Sequence, residues 1–270
     1  MFQFTITDSE FNSFRTFIYD NAGINLSDEK KTLVTSRLSK RLRHYSLDSF
    51  QQYFDLMMAS VQSGERQVVI DLLTTNETYF FREPKHFSFL EREILPKWKG
   101  GKTLRVWSAA SSTGEEAYSI AMLLDDMLGN HPWEIFGSDI SSRVVKAAQK
   151  GHYQQTRIDG IPVAYLHKYC LKGVDEQEGT LLIDKKIRQK VSFSSVNLKN
   201  PLGNIGSFDI IFLRNVLIYF DMETKIKIIR QLVDKMKPDG YLFIGHSESL
   251  KGIHDGLEAI IPTVYKKAVS

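Results

Sequence analysis

Nine consecutive residues, Thr75-Asn76-Glu77-Thr78-Tyr79-Phe80-Phe81-Arg82-Glu83, carry an amide, hydroxyls, carboxylates, a guanidinium and three adjacent aromatic rings. A connector that had only to join two regions would favour Gly, Ser and Pro. These side chains can instead stack on a purine, hydrogen-bond a ribose or clamp a carboxylate. The aromatics alone would equally suit a hydrophobic plug between domains. A second polar cluster, Ser111-Ser112-Thr113-Gly114-Glu115-Glu116, tips the reading toward a ligand site. It stands where an α/β nucleotide-binding fold places its ligand, after the first core strand.

The elements around these clusters fall into two regions. Residues from about 8 to 73 read as helices only. Phe11, Phe14, Phe17 and Ile18 recur at helical spacing behind a possible Asp8 cap. Val34, Leu38 and Leu42 stripe a second helix; Phe50, Tyr53, Phe54 and Met57 a third; Val68, Val69, Leu72 and Leu73 a fourth. From Thr103 onward strands alternate with helices. Leu104–Trp107, Trp133–Gly137, Val191–Phe193, Phe208–Leu213 and Tyr241–Ile244 read as strands, separated by helices over Glu115–Leu128, Ser141–Lys150 and Met222–Met236. Such alternation predicts a doubly wound, mostly parallel sheet. Ile260-Ile261 and Val264-Tyr265 suggest an antiparallel edge pair. The stretch of about 171–190 breaks the alternation and reads as a small antiparallel β-insertion. A stop signal is read at Lys237–Gly240, and Ser247 as the cap of a final short helix.

Composition narrows the function classes. Of the 270 residues, 42% are hydrophobic and 25% charged, an ordinary globular balance, and the net charge of +3 gives no global argument for nucleic acid. The single cysteine, Cys170, excludes an intramolecular disulfide and a cysteine-cluster zinc site. The histidines match no metal-ligand spacing, so no metal is expected. No signal peptide and no membrane-spanning run is visible, so the chain reads as cytoplasmic, with no membrane insertion.

The chemistry at the strand ends points away from phosphate. The G-x-G-x-x-G fingerprint is absent, and Glu115 and Glu116 at a helix N-terminus would repel a pyrophosphate. Those carboxylates suit a ligand with cationic and hydroxyl groups. S-adenosylmethionine, with a sulfonium, an ammonium and a ribose diol, fits best. Small residues such as Ala109 let it approach the backbone. Asp139 ends the second strand, where it can accept both ribose hydroxyls or cap the next helix. Asn197 and Leu198 after the third strand offer an amide and an apolar wall. Arg214-Asn215 with Tyr219 follow the fourth.

These motifs resemble the CheR-type chemoreceptor methyltransferases, S-adenosylmethionine-dependent protein-glutamate O-methyltransferases. Thr75–Glu83, Arg105–Glu116 with Tyr118-Ser119, Phe208–Phe220 and Gly240–Leu250 carry the resemblance, in order, over nearly the whole chain. It implies an α/β architecture: a small N-terminal all-helical domain and linker (1–85), for substrate docking, then a doubly wound Rossmann-like class I methyltransferase domain with a small antiparallel β-insertion (86–270). It implies that Asn76, Thr78, Arg82, Ala109, Glu115, Asp139, Asn197, Leu198, Arg214 and Asn215 bind the cofactor, with Arg82 and Tyr219 nearest the transferred methyl. Ser111, Ala117, Leu213 and Asp239 stand where family members often carry Cys, Pro, Cys and Gly; none of these changes removes a needed chemical group.

The implied partner is the cytoplasmic signalling domain of a methyl-accepting chemoreceptor. Six Lys and Arg residues and no acid lie between Lys30 and His44. Lys30, Arg37, Arg41 and His44 share a helical stripe that the resemblance assigns to docking on an acidic receptor bundle. A solvated basic face is the plainer meaning of such a run. Nucleic acid is not expected, since Tyr45 is the only adjacent aromatic. In some family members the insertion binds a receptor tether peptide; the acidic loop Val174–Glu178 argues against tight binding here. Two rivals stay open: a methyltransferase acting on RNA or a small molecule, and a non-catalytic regulator that senses the cofactor.

Overall fold

The computed structural model describes residues 4–59, 64–98, 101–254 and 256–268. Four helices come first: α1 (Asp8–Ala22), α2 (Lys31–Tyr45), α3 (Phe50–Ala59) and α4 (Glu65–Leu73). Thr7, rather than Asp8, caps α1. Its hydroxyl accepts the Glu10 N–H at 3.2 Å while Glu10 takes the Thr7 N–H at 2.8 Å, a reciprocal capping box. Phe14 and Ile18 of α1, Val34, Leu38 and Leu42 of α2, Tyr53 and Met57 of α3 and Val69 of α4 close a core of their own.

One acid in that core decides the fate of the basic stripe. Glu65 is 2% exposed. It accepts from Arg41 Nε at 2.7 Å and NH2 at 2.8 Å, from Tyr53 at 2.6 Å and from Tyr45 at 3.0 Å. The guanidinium and the hydroxyls together hold its carboxyl below the usual range against desolvation. Arg37 also turns inward, donating from NH1 to the carbonyls of Leu72, Leu73 and Thr74 at 3.1, 3.2 and 2.9 Å. The expected docking stripe is therefore corrected: Arg37 and Arg41 are structural. Lys30 and His44 stay exposed, as do Lys40 and Arg43.

The chain then enters its sheet. α5 (Pro84–Phe89) opens with Pro at its first position and runs into a π turn, Leu90–Ile94. There follow β1 (Leu104–Ser108), α6 (Glu115–Leu128), β2 (Trp133–Asp139), α7 (Ser142–Lys150), β3 (His152–Gln154), α8 (Val163–Tyr169), β4 (Cys170–Lys172), β5 (Thr180–Ile183), α9 (Lys185–Arg188) and β6 (Val191–Ser195). β7 (Phe208–Leu213), α10 (Met222–Lys235), β8 (Met236–Ile244), β9 (Leu257–Ile261) and β10 (Val264–Lys267) complete it. The seven-stranded sheet has the order β6-β2-β1-β7-β8-β10-β9. Its first five strands pair in parallel, and β10 and β9 join as an antiparallel edge.

Both faces of the sheet are covered, which explains the unbroken apolar run of β7. Val106, Ile210 and Phe212 pack toward α6. Trp107, Ile211 and Leu213 pack toward Ile228, Ile229 and Leu232 of α10. Strand order reverses at β1 and β7, so their carboxyl ends flank the crevice of a doubly wound sheet.

Three expectations change. The insertion is a three-stranded sheet, β3-β5-β4, that begins at His152 rather than near 171. α10 passes into β8 without a connecting turn, so Lys237–Gly240 lies inside a strand. Ser247 caps no helix; Glu248 instead accepts the backbone N–H groups of Gly245, Asn215 and Leu217 at 2.6, 3.0 and 2.7 Å.

Replacing Glu65 with Ala strips a half-buried guanidinium, the buried Tyr53 hydroxyl and the half-buried Tyr45 hydroxyl of their shared acceptor. The expected result is a loss of about 3 kcal/mol in urea unfolding, against less than about 0.5 kcal/mol for Lys40→Ala on the exposed face.

Candidate active site

A cavity of about 300 Å³ opens at the carboxyl ends of β1, β2, β6 and β7. Each strand delivers part of its wall. Ala109, Ala110 and Ser112 come after β1, Asp139 ends β2 with Ile140 next, Asn197 and Leu198 come after β6, and Arg214, Asn215 and Tyr219 after β7. The other wall is built by the N-terminal helices and the strap that leaves them: Leu26, Lys30, Leu33 and Arg37, then Thr74 to Thr78 and Arg82.

Several contacts fix the strap. Ser112 donates its hydroxyl to the Asn76 carbonyl at 2.9 Å, and Phe81 donates its N–H to Ser119 Oγ at 2.9 Å. Phe80 is buried edge-on against Tyr153. Arg157 reaches from the insertion to the Thr78 carbonyl at 3.2 Å. Arg82 donates to the Glu77 carbonyl at 2.9 Å and lies over the Tyr79 ring. That contact orients the guanidinium without neutralising it.

Charge concentrates behind the strap. Arg214 donates NH2 to the Arg82 carbonyl at 2.5 Å and pairs with Glu83 at 3.3 Å, while NH1 pairs with Glu116 at 3.2 Å. Glu116 also accepts the Ser108 hydroxyl at 2.7 Å. Burial pushes the Glu116 carboxyl up, and Arg214 opposes that shift. Asp139 holds one backbone N–H on each oxygen, Ser112 on Oδ2 and Ser141 on Oδ1, both at 2.9 Å. Desolvation raises its carboxyl, and those two N–H groups counter it.

Asn76, Thr78, Arg82, Ala109, Asp139, Asn197, Leu198, Arg214, Asn215 and Tyr219 all line this cavity. Glu115 does not. It is wholly buried on the other side of α6, paired with Arg157 at 2.6 Å and holding the Thr113 hydroxyl at 2.6 Å. Glu116 faces the cavity in its place. Adjacent helical residues point about 100° apart, and sequence alone does not say which of two faces inward. The Asn197 side chain is already engaged: Nδ2 donates to the Asn21 carbonyl at 2.6 Å, and Oδ1 accepts the Lys199 N–H at 3.0 Å. It locks β6 to α1 and presents its remaining surface to the cavity. Of the basic stripe, Lys30 and Arg37 reach the cavity wall, and Arg41 and His44 do not.

Gly114 shows how tightly the loop after β1 is built. It caps α6 at φ 96°, and a Cβ there would lie 2.9 Å from the Ala148 Cβ and 3.0 Å from the Tyr153 hydroxyl. The turn needs glycine on both counts.

Among the described residues no helix is long and apolar enough to cross a membrane. Residues 9–74 match the family profile described as the CheR methyltransferase all-alpha domain, and residues 76–265 match the CheR methyltransferase SAM binding domain. A chemotaxis protein methyltransferase of Salmonella typhimurium is 42% identical over 92% of this chain and 86% of its own length. One from Escherichia coli is 40% identical over 96% and 91%. Chemotaxis protein methyltransferase 2 of Pseudomonas aeruginosa is 38% identical over 98% and 95%. With both of its parts matched in order and its relatives aligned almost end to end, the chain belongs to the CheR family of S-adenosylmethionine-dependent methyltransferases.

Proposed function

We propose that this chain methylates glutamate side-chain carboxylates in the cytoplasmic signalling domain of a chemoreceptor, forming glutamyl methyl esters for sensory adaptation. A cytoplasmic location follows from that substrate. The observation that carries the reading is that an oriented, half-buried Arg82 and Tyr219 both line the cofactor cavity.

The polar atoms suit the cofactor. Arg214 is buried, yet its Nε and NH1 make no hydrogen bond within the protein. A guanidinium with unused donors beside Glu116 matches the carboxylate and ammonium of a methionyl group. Asp139 keeps lone pairs beyond its two backbone contacts, which suits a ribose diol. Leu198 and Ile140 supply apolar surface for adenine. The acids on this wall disfavour a phosphate-bearing ligand.

Bound S-adenosylmethionine supplies an electrophilic methyl on its sulfonium. The acceptor carboxylate, with a reference pKa near ~4.3, is already ionised at neutral pH and needs no general base. Arg82 holds it bidentately, and the Tyr219 hydroxyl orients its second oxygen, so that one oxygen lies in line with the reacting bond. The strap and the Leu26-Leu33 wall exclude water from that oxygen. Outside the cavity, Lys40, Arg43 and His44 share one exposed face of α2 at i, i+3 and i+4 and are suited to an acidic helical partner.

Three outcomes test these assignments. Arg82→Ala is expected to cut turnover by about 10²-fold or more while S-adenosylhomocysteine affinity, read by calorimetry, stays within about threefold, or roughly 0.65 kcal/mol. Equal losses in both would move Arg82 from substrate to cofactor. Gly114→Ala should weaken S-adenosylhomocysteine by about tenfold, roughly 1.4 kcal/mol, with an unchanged circular dichroism spectrum. The double variant Lys40→Glu/Arg43→Glu is expected to raise KM for receptor fragments and leave cofactor affinity alone; an unchanged KM removes α2 from docking.

A further inference from the structure

A second polar cluster lies behind the cavity wall. Glu83 Oε2 stands 3.3 Å from His86 Nδ1 and 3.9 Å from His246 Nε2, and one ligand atom from each of the three residues lies within 4.8 Å of the others. None of the three residues lines the cavity. Glu83 is 9% exposed and His86 1% exposed, and neither Glu83 Oε2 nor His86 Nδ1 makes a hydrogen bond.

The imidazole proton explains why that matters. His86 Nε2 is 2.7 Å from Thr263 Oγ1, and the Thr263 hydroxyl donates to the Pro262 carbonyl at 2.5 Å. With that hydroxyl proton committed, Nε2 carries the ring proton and Nδ1 turns a bare lone pair toward the Glu83 carboxylate. Two buried acceptors face to face call for positive charge between them. Arg214 supplies some, through NH2 at 3.3 Å from Glu83 Oε2. The same guanidinium also serves Glu116 and the Arg82 carbonyl.

We infer that Glu83, His86 and His246 form a binding site for a transition-metal dication of the Zn²⁺ class, filled at the expense of the Glu83–Arg214 ion pair. One carboxylate and two imidazoles are a donor set that Zn²⁺ takes. Tetrahedral ligands at bonds of about 2.0–2.1 Å stand roughly 3.4 Å apart. The Glu83–His86 separation already meets this, and the rest needs a modest turn of the His246 ring. The His246 side chain is 50% exposed, which gives an ion a way in and leaves a fourth position to water. The two histidines stand far apart in the chain, so no ligand spacing appears in the sequence.

Filling the site draws Glu83 away from Arg214. Because Arg214 is assigned to the cofactor, metal and cofactor should oppose each other; this consequence rests on the proposed function, whereas the site itself does not. The test is calorimetric titration of ZnCl₂ into the intact protein and into His246→Ala, each with and without S-adenosylhomocysteine. One saturable Zn²⁺ site is expected in the parent protein. In His246→Ala it should weaken by more than the roughly 10–100-fold that loss of an outer-shell partner costs a metal site. Saturating S-adenosylhomocysteine should lower Zn²⁺ affinity in the parent. Absence of saturable binding, or equal affinity in His246→Ala, overturns the site. Zn²⁺ affinity that ignores S-adenosylhomocysteine overturns the antagonism alone. Zn²⁺ binding is read without any methyl transfer, so a failure here and a failure of the methylation reading are told apart.

Discussion

Burying a guanidinium costs several kcal/mol unless it is paired, and Arg214, 6% exposed at the end of β7, meets much of that demand with three groups from two elements. Its partners are the Arg82 carbonyl and Glu83 of the strap and Glu116 of α6. The strap, the sheet edge and the N-terminus of α6 are thereby held in one register. Asn215 extends the tie: its Nδ2 reaches Glu83 at 3.1 Å, and its backbone N–H reaches Glu248 at 3.0 Å. Asn215 adopts φ 57°, a conformation that asparagine tolerates better than most residues. The backbone strain sits at the site and is compensated by the network around it.

The helical N-terminal part is built into the same site. Asp71 at the end of α4 accepts the N–H groups of Ser142 and Arg143 at the start of α7, a favourable place for a carboxylate. Arg37 gathers the last carbonyls of α4, where a cation is favoured, and also lines the cavity. Asn25 donates to the Tyr219 carbonyl at 2.9 Å, and Ile24 bridges Phe220. Residues that would meet a docking partner and residues that close the cavity therefore lie on the same few turns. On the proposed function, substrate recognition and exclusion of water share a scaffold.

How much was legible depended on range. The apolar run Phe208–Leu213 and the period of Glu115–Leu128 announce a covered strand and a helix, because burial on two faces or on one stripe writes itself into local pattern. The placement of Asp139 and Arg214 followed from where a doubly wound sheet opens. Signals that depend on distant partners were not readable. Arg41 looks like a solvated cation until Glu65 is folded against it. His152–Gln154 is too short for alternation to show, with only Tyr153 buried, so local pattern does not reveal where the insertion starts. Glu115 and Glu116 exchange roles through helical phase alone. Glu83, His86 and His246 meet only because β8 brings its end beside α5.

The central claim is that the acceptor is a carboxylate. Its most direct test is transfer of radiolabelled methyl from S-adenosylmethionine to a panel of chemoreceptor cytoplasmic fragments, followed by mild base. Label released as methanol, from fragments that carry glutamates on an acidic helical bundle, is the expected result, since a glutamyl ester hydrolyses where amine and ring methyl groups do not. Label that survives base would mean a different nucleophile and would contradict the assignment of Arg82 and Tyr219 to a glutamate.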